Sequence, residues 1–105
     1  MSGCEDLSPF ALQVRGDSME PEFPDKAIII IDPGYPVENE LYIACDYRGE
    51  TLLRQMIIDG EQRFLKPFNP AYPTVEVSAP LKIHGVVVQK TTREKGQRRQ
   101  VKHYV

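Results

Sequence analysis

The stretch FALQVRGDSMEPEFPDKAIIIID, residues 10–32, decides the fold of this chain. Its first part alternates apolar and polar side chains, with Phe10, Leu12 and Val14 on one face, which predicts a half-buried strand. Its last part, KAIIIID, is continuously apolar and β-branched, which predicts a strand covered on both faces. The stretch therefore predicts two strands that are connected by a tight corner carrying the hydroxyl of Ser18.

The rest of the chain repeats this pattern of strands and turns. Nine prolines and seven glycines separate short apolar runs, and no run has a sustained period of 3.6 residues. The pattern allows one short helical turn, near Met19–Phe23, with Pro21 at an early helical position. The further predicted strands are LYIACDY (41–47), TLLRQMII (51–58), QRFLKP (62–67), TVEVS (74–78) and LKIHGVVVQK (81–90). We expect an all-β domain of about seven short strands, arranged as two sheets or as a partly closed barrel.

Length and composition indicate one soluble globular domain. The chain has 105 residues, of which 41% are hydrophobic and 27% are charged. We divide it into an N-terminal tail over 1–9, a domain over 10–90 and a basic tail over 91–105 that stays solvated or adds a final strand. No apolar run approaches the roughly 20 residues that cross a bilayer. Cys4 and Cys45 do not make a disulfide framework, so we expect a cytoplasmic protein.

The charge of the chain is unevenly distributed. The formal net charge is −2, but residues 90–105 carry six Lys/Arg and one Glu, whereas residues 1–89 carry seven Lys/Arg and fourteen Asp/Glu. An acidic body is a poor surface for nucleic-acid phosphates, and the basic end is either a solvated terminus or a contact for DNA or an acidic partner. No spacing of Cys and His suggests a metal site and no glycine-rich loop suggests a phosphate site, so we expect neither a metal nor a cofactor.

Two interpretations of the Ser18 corner stay open on these residues alone. In the first, Gly16 permits a tight bend or a close approach, and Asp17 or Ser18 caps the turn by accepting backbone N–H bonds. In the second, the corner exposes Ser18 as a nucleophile at a sheet edge. Backbone N–H groups of the segment that includes Gly16, Asp17 and Met19 would then stabilise an oxyanion.

Four segments, GDSMEP, DKAIIIID, LKPFNPAYP and IHGVVV, occur in the order of a known family. From about Phe10 to Gln89 the chain resembles the LexA-type (S24) domain, which is the self-cleaving C-terminal domain of SOS and phage repressors and of the UmuD mutagenesis proteins. The resemblance implies a homodimer, a DNA-binding domain upstream, and a RecA–DNA filament that stimulates self-cleavage. It also implies that Ser18 is the nucleophile of a Ser–Lys dyad whose lysine is kept neutral by burial.

The position of the family's lysine falls on an arginine in this chain. The family's segment resembles GE-x-T-V-K-R, and here it reads GETLLRQM, which places Arg54 at the lysine. With a pKa of about 12.5–13.8, roughly one arginine in a million is neutral at pH 7. A guanidinium also offers no lone pair to accept a proton. We therefore predict that Arg54 orients Ser18 or binds a carbonyl or carboxylate, and that self-cleavage is impaired.

Three other residues are candidates for the missing base. His84 has a suitable reference pKa but lies in the last predicted strand, and Lys66 and Lys26 are expected to be solvated. The family cuts its own chain at an Ala-Gly or Cys-Gly bond upstream of the nucleophile. Before Ser18 this sequence has no Ala-Gly, and it has Gly3-Cys4 only in the reverse order.

The expected function is that of a protein-interaction module. We expect the C-terminal dimerisation and regulatory domain of a phage-repressor-like transcriptional regulator, which pairs with a twin through the edge strand VVVQK (86–90). An active, self-cleaving serine peptidase of the SOS type is the alternative, and a fragment that is lost on Ser18→Ala would identify it. A third hypothesis is a small-ligand or peptide binder, in which Arg54 and the Ser18 turn form an anion pocket.

Overall fold

The computed structural model describes residues 8–77, 81–92 and 98–105. These residues form eight strands and no helix. The strands are β1 (Phe10–Gln13), β2 (Ile28–Asp32), β3 (Tyr42–Tyr47), β4 (Glu50–Asp59), β5 (Gln62–Lys66), β6 (Val75–Glu76), β7 (Lys82–Thr92) and β8 (Gln100–His103). The predicted all-β class is confirmed. Most of the N-terminal tail, including Gly3 and Cys4, lies outside the described residues.

The eight strands lie in one open antiparallel sheet rather than in two sheets. The strand order is β1-β2-β7-β3-β4-β5-β6, and β8 also pairs with β7. The prediction that VVVQK (86–90) is an edge strand is wrong, because β7 is paired on both sides: β2 lies along one side and β3 and then β8 along the other. Three consecutive valines already indicate a strand that is buried on both faces, which is the pattern of a central strand.

Both faces of the sheet carry a buried apolar cluster. Successive side chains of β7 point to opposite faces of the sheet, so Val87 packs in one cluster and Val86 in the other. The first cluster also contains Met19 and Phe23. The second contains Cys45, which is buried as its place in an apolar run predicts, and burial raises the pKa of its thiol to about 11. The first cluster fixes the segment around Ser18.

The run of four isoleucines in β2 is fully buried on one face and partly covered on the other, where Ile30 is half-buried. Ile29 and Ile31 are buried in the first cluster, whereas the side chain of Ile28 is 39% exposed. The prediction that both faces are covered is therefore correct for one face and wrong at Ile28 on the other. The outer face at Ile28 is continued by Val101 of β8, since both residues lie opposite Thr91 in the register of the sheet.

Gly85 allows β7 to pass very close to the end of β2. A Cβ atom at this position would lie 2.6 Å from Cγ2 of Ile31 and 2.8 Å from the carbonyl carbon of Asp32, and φ is +156°. No side chain fits there without a shift of the backbone. The glycine sits beside the irregularity between β3 and β7, where His84 has no partner residue in β3.

The basic C-terminal residues are joined to the segment that follows Ser18. Tyr104, just beyond β8, stacks on Phe23 with 5.1 Å between ring centroids, and its hydroxyl donates to the carboxylate of Glu22. The ammonium groups of Lys90 and Lys102 lie 3.1 and 2.9 Å from the same carboxylate. The C-terminal strand therefore supports the Ser18 segment from one side.

Candidate active site at the Ser18 turn

The turn that carries Ser18 begins at Gly16. Gly16 has φ of +83°, a conformation that favours glycine, and a Cβ there would contact nothing within 4 Å, so the bend and not a close approach requires the glycine. The amide of Gly16 donates to Oδ1 of Asp25 at 2.8 Å. The carboxylate that caps this turn is therefore that of Asp25, and the prediction that Asp17 or Ser18 caps it is wrong.

The predicted single helical turn near Met19–Phe23 is present as one helical-type hydrogen bond. The amide of Phe23 donates to the carbonyl of Met19 at 2.8 Å, and no helix follows among the described residues. The side chains of Met19 and Phe23 are almost completely buried. Because the residue after Ser18 is anchored in the core, the serine sits on a fixed part of the backbone.

The loop after β5 closes over the same turn. The amide of Asn69 donates to the carbonyl of Ser18 at 2.9 Å, and Nδ2 of Asn69 donates to the carbonyl of Asp17 at 3.0 Å. The hydroxyl of Tyr72 donates to the carboxylate of Asp17, and this hydrogen bond raises the pKa of Tyr72. Sequence reasoning missed these supports, although the segment LKPFNPAYP that contains both residues is part of the family resemblance.

Arg54 in β4 contacts the hydroxyl of Ser18 directly. Nη1 of Arg54 donates to Oγ of Ser18 at 2.9 Å and to the carbonyl of Leu53 at 2.8 Å. The guanidinium is partly buried, and this burial lowers its pKa below the usual value. It retains its proton at neutral pH, because the ordinary pKa of an arginine is far above 7. The structure thus brings together the two residues that the sequence singled out.

No side-chain base contacts Ser18 in the part of the chain that the structure describes. Nε2 of His84 is paired with Oδ1 of Asp46 at 2.8 Å, and this hydrogen bond lowers the pKa of that carboxyl. Lys66 is exposed at the end of β5, and Lys26 is exposed where the chain enters β2. The arrangement holds a serine hydroxyl against a permanent cation, without a proton acceptor at hydrogen-bond distance.

The backbone around Ser18 keeps the donors that an oxyanion needs. Within the described residues, neither the amide of Ser18 nor that of Met19 donates a hydrogen bond to a protein acceptor. The amide of Gly16 donates to the carboxylate of Asp25 and is therefore not available to an oxyanion. The turn therefore offers N–H groups and a guanidinium to a negative group, either to an oxyanion formed in a reaction or to a bound anion.

The sequence comparison identifies the family. Residues 5–88 match the sequence model of the family described as Peptidase S24-like. The chain belongs to the Peptidase S24-like family. The LexA-type resemblance found in the sequence is thereby confirmed, and the open all-β sheet agrees with it.

Several relatives of this S24-like chain are transcriptional regulators by name. It is 40% identical to the HTH-type transcriptional regulator for conjugative element SXT of Vibrio cholerae, over 76% of this chain and 40% of the regulator. It is 36% identical to Repressor protein C2 of Salmonella phage P22, over 75% and 39% of the two chains. It is 37% identical to the LexA repressor of Verrucomicrobium spinosum, over 76% and 40%. The S24-like chain spans about 40% of the length of the curated relatives that it matches.

Among the described residues, no three His, Cys, Asp or Glu side chains come together as metal ligands would. In the same residues no helix has the length and apolar character that crossing a membrane requires.

Proposed function

We propose that this S24-like chain is the regulatory and dimerisation domain of a repressor-like transcriptional regulator, and that its Ser18 is inactive as a peptidase nucleophile. The observation that carries the proposal is the 2.9 Å hydrogen bond from the guanidinium of Arg54 to Oγ of Ser18. A peptidase serine must lose its proton to a neighbouring base as it attacks. Arg54 stands in that place and can only donate.

The proposed regulatory role is supported by the relatives. Their names describe transcriptional regulators and repressors, and they are considerably longer than this chain. Because residues 1–89 carry an excess of acidic side chains, we assign DNA contacts to a separate N-terminal domain. We place the protein in the cytoplasm, as its cysteine content already suggests. A RecA–DNA filament has no cleavage to stimulate here, so we leave it outside the proposed partners.

The edge of β8 is the best-supported surface for pairing with a second copy. Within the described residues β8 pairs only with β7, so its second edge has free backbone donors and acceptors. An antiparallel pair of two β8 strands is self-complementary around a two-fold axis. The adjoining outer face is apolar, because Ile28, Val101 and Val105 are 39%, 50% and 49% exposed. This surface replaces the predicted VVVQK edge.

Sedimentation tests the proposed dimer. We expect the chain to sediment as a dimer at tens of micromolar, and Val101→Asp to convert it to a monomer because a charge enters the apolar face. Phe68→Asp is the matched control, because Phe68 is 41% exposed in the loop after β5 and away from β8, and this variant should stay dimeric. A monomeric chain at these concentrations would refute the dimer.

A serine-directed fluorophosphonate tests the proposed inactivity. This reagent phosphonylates a serine only when a base takes up the hydroxyl proton while fluoride leaves. We expect the intact mass of the chain to stay unchanged between pH 7 and 10. A single phosphonyl adduct that disappears in Ser18→Ala would show that Ser18 has a working base and would refute the proposal.

A further inference from the structure

A positively charged cleft lies next to the Ser18 turn. It is a cavity of about 310 Å³ between the end of β1 and the middle of β4. Arg15 and Arg54 line it, and no Asp or Glu does, although acidic residues outnumber basic ones two to one over residues 1–89. The remaining wall is mostly apolar and includes Leu12, Val14, Ile29 and Leu53. The cleft combines a basic end with an apolar wall, which is the complement of an apolar group that ends in an anion.

The hydrogen-bond donors in the cleft are more numerous than their protein acceptors. Both hydrogen bonds that the Arg54 guanidinium donates to the described residues leave from Nη1, and Nη2 and Nε donate none to them. No carboxylate of the described chain forms an ion pair with Arg54. Ser18 accepts from Arg54 and therefore keeps its own hydrogen to donate. A carboxylate fits this set, because its two oxygens match the parallel donors of a guanidinium.

The position of the cleft at the sheet edge favours a peptide as the occupant. β1 is the first strand of the sheet and pairs only with β2 among the described residues. The cleft is lined by Leu12, Gln13, Val14 and Arg15, which are the end of β1 and the two residues after it. An extended peptide can add its backbone to such an edge while its last side chain enters the apolar wall.

We propose that the cleft binds the free C-terminal carboxylate of an extended peptide whose last side chain is apolar, with Arg54 and Ser18 as the carboxylate-binding residues. The inference rests on the proposed inactivity of Ser18, because the hydroxyl must keep its proton in order to donate it to the carboxylate. The carboxylate pairs with a guanidinium that forms no ion pair within the described chain.

The test compares three probes by isothermal titration calorimetry on the whole chain. They are the peptide acetyl-AAAVL with a free carboxylate, the same peptide as its C-terminal amide, and 4-methylpentanoate. We expect the acid to bind at least about tenfold more tightly than the amide, since the amide loses the charge-assisted pair. We expect 4-methylpentanoate to bind at least about tenfold more weakly than the peptide acid, because it has no backbone to pair with β1.

Variants assign the effect to the cleft. Arg54→Gln should abolish the preference for the acid over the amide, and Arg63→Gln, at an exposed arginine in β5, should preserve it. Equal binding of acid and amide by the unaltered chain would overturn the proposal, and this comparison needs no variant to fold. Equal affinity for 4-methylpentanoate and the peptide acid would overturn the choice of a peptide. Mass spectrometry of the peptide after the titration distinguishes the two proposals, because cleavage refutes the inactivity of Ser18 and an intact, unbound peptide refutes only the cleft.

Discussion

Arg54 and Ser18 are 36 positions apart in the sequence, and a hydrogen bond of 2.9 Å joins the Nη1 of one to the Oγ of the other. The arginine reaches the hydroxyl from the middle of β4, while the buried Met19 side chain holds the serine in place. The donor in this pair is the guanidinium, so the hydroxyl oxygen is the acceptor and one of its two lone pairs is engaged. The position that the family resemblance gives to the dyad lysine is thus taken by a group that cannot accept a proton.

Arg54→Lys should give Ser18 a base. A lysine at this partly buried position has a depressed pKa, because burial disfavours the ammonium, and its neutral amine accepts the hydroxyl proton. We expect a serine-directed fluorophosphonate to add once to the Arg54→Lys chain, faster at pH 9–10 than at pH 7, with intact mass as the measurement.

Two variants control that experiment. Ser18→Ala combined with Arg54→Lys should remove the adduct, which assigns it to Ser18. The Arg63→Lys chain, with the substitution at an exposed position in β5, should stay unreactive. If Arg54→Lys stays unreactive up to pH 10, the turn lacks more than a base. The backbone amides of Ser18 and Met19 would then not be placed to stabilise an oxyanion.

Glu22 makes the stability of the fold dependent on pH at the acid end. Burial by itself would raise the pKa of this carboxyl, but hydrogen bonds from Tyr104, Lys102 and Lys90 outweigh it and lower the pKa from 4.5 to about 2. A lowered folded-state pKa stabilises the fold above pH 4.5 and loses that contribution as the pH falls towards 2. Allowing for solvent screening at Lys102, we expect a loss of about 1–2 kcal/mol in the free energy of unfolding between these pH values.

Urea unfolding at a series of pH values measures this loss. Glu22→Gln should be less stable than the unaltered chain at pH 6 and should show a flatter dependence between pH 4.5 and 2. Glu61→Gln, in the turn between β4 and β5, is the control, because no cation of the described chain pairs with Glu61. A pH dependence that is unchanged by Glu22→Gln would show that the network contributes nothing.

The strands could be predicted from the sequence, but their arrangement could not. Alternating and continuous apolar runs identify strands because side chains repeat every two residues, and they place β2, β3, β4 and β7 within a few residues of their bounds. The same runs do not say which strand is central. VVVQK was assigned to an edge although three valines in a row indicate cover on both faces, and the isoleucines of β2 were assigned to a covered strand although Ile28 is exposed. A hydrophobic run indicates burial without saying whether the same chain or a partner supplies the cover.

The candidate site shows a similar division. The pairing of Ser18 with Arg54 follows from motif order, because the family resemblance places both at one site. The supports of the turn do not follow from any local pattern. Asp25 caps the amide of Gly16 from nine residues away, and Tyr72 reaches Asp17 from 55 residues away. Such contacts depend on tertiary packing. The spacing of apolar residues and the strand propensity of single residues do not reveal it.

Tyr72→Phe should loosen the loop that closes over the Ser18 turn. The variant keeps the ring and removes the hydroxyl that donates to Asp17, which costs about 0.5–1 kcal/mol for a partly exposed hydrogen bond. The amide of Asn69, which donates to the Ser18 carbonyl, should then exchange with deuterium several-fold faster. Tyr35→Phe is the control, since the Tyr35 hydroxyl makes no hydrogen bond to the described residues. Equal exchange at Asn69 in all three chains would show that the hydroxyl does not hold the loop.

Substitution of Gly85 should be more damaging than substitution of Gly16, for different physical reasons. Gly16→Ala meets no atom within 4 Å, so its cost is the strain of a positive φ, about 1–2 kcal/mol. Gly85→Ala places a methyl group 2.8 Å from the backbone of Asp32, which cannot move without disturbing the pairing of β2 with β7, so we expect a cost of about 3 kcal/mol or more. Chemical denaturation of both variants measures the difference. Equal destabilisation would mean that β7 can move away from β2 freely, and the close approach at Gly85 would then not be what holds the centre of the sheet.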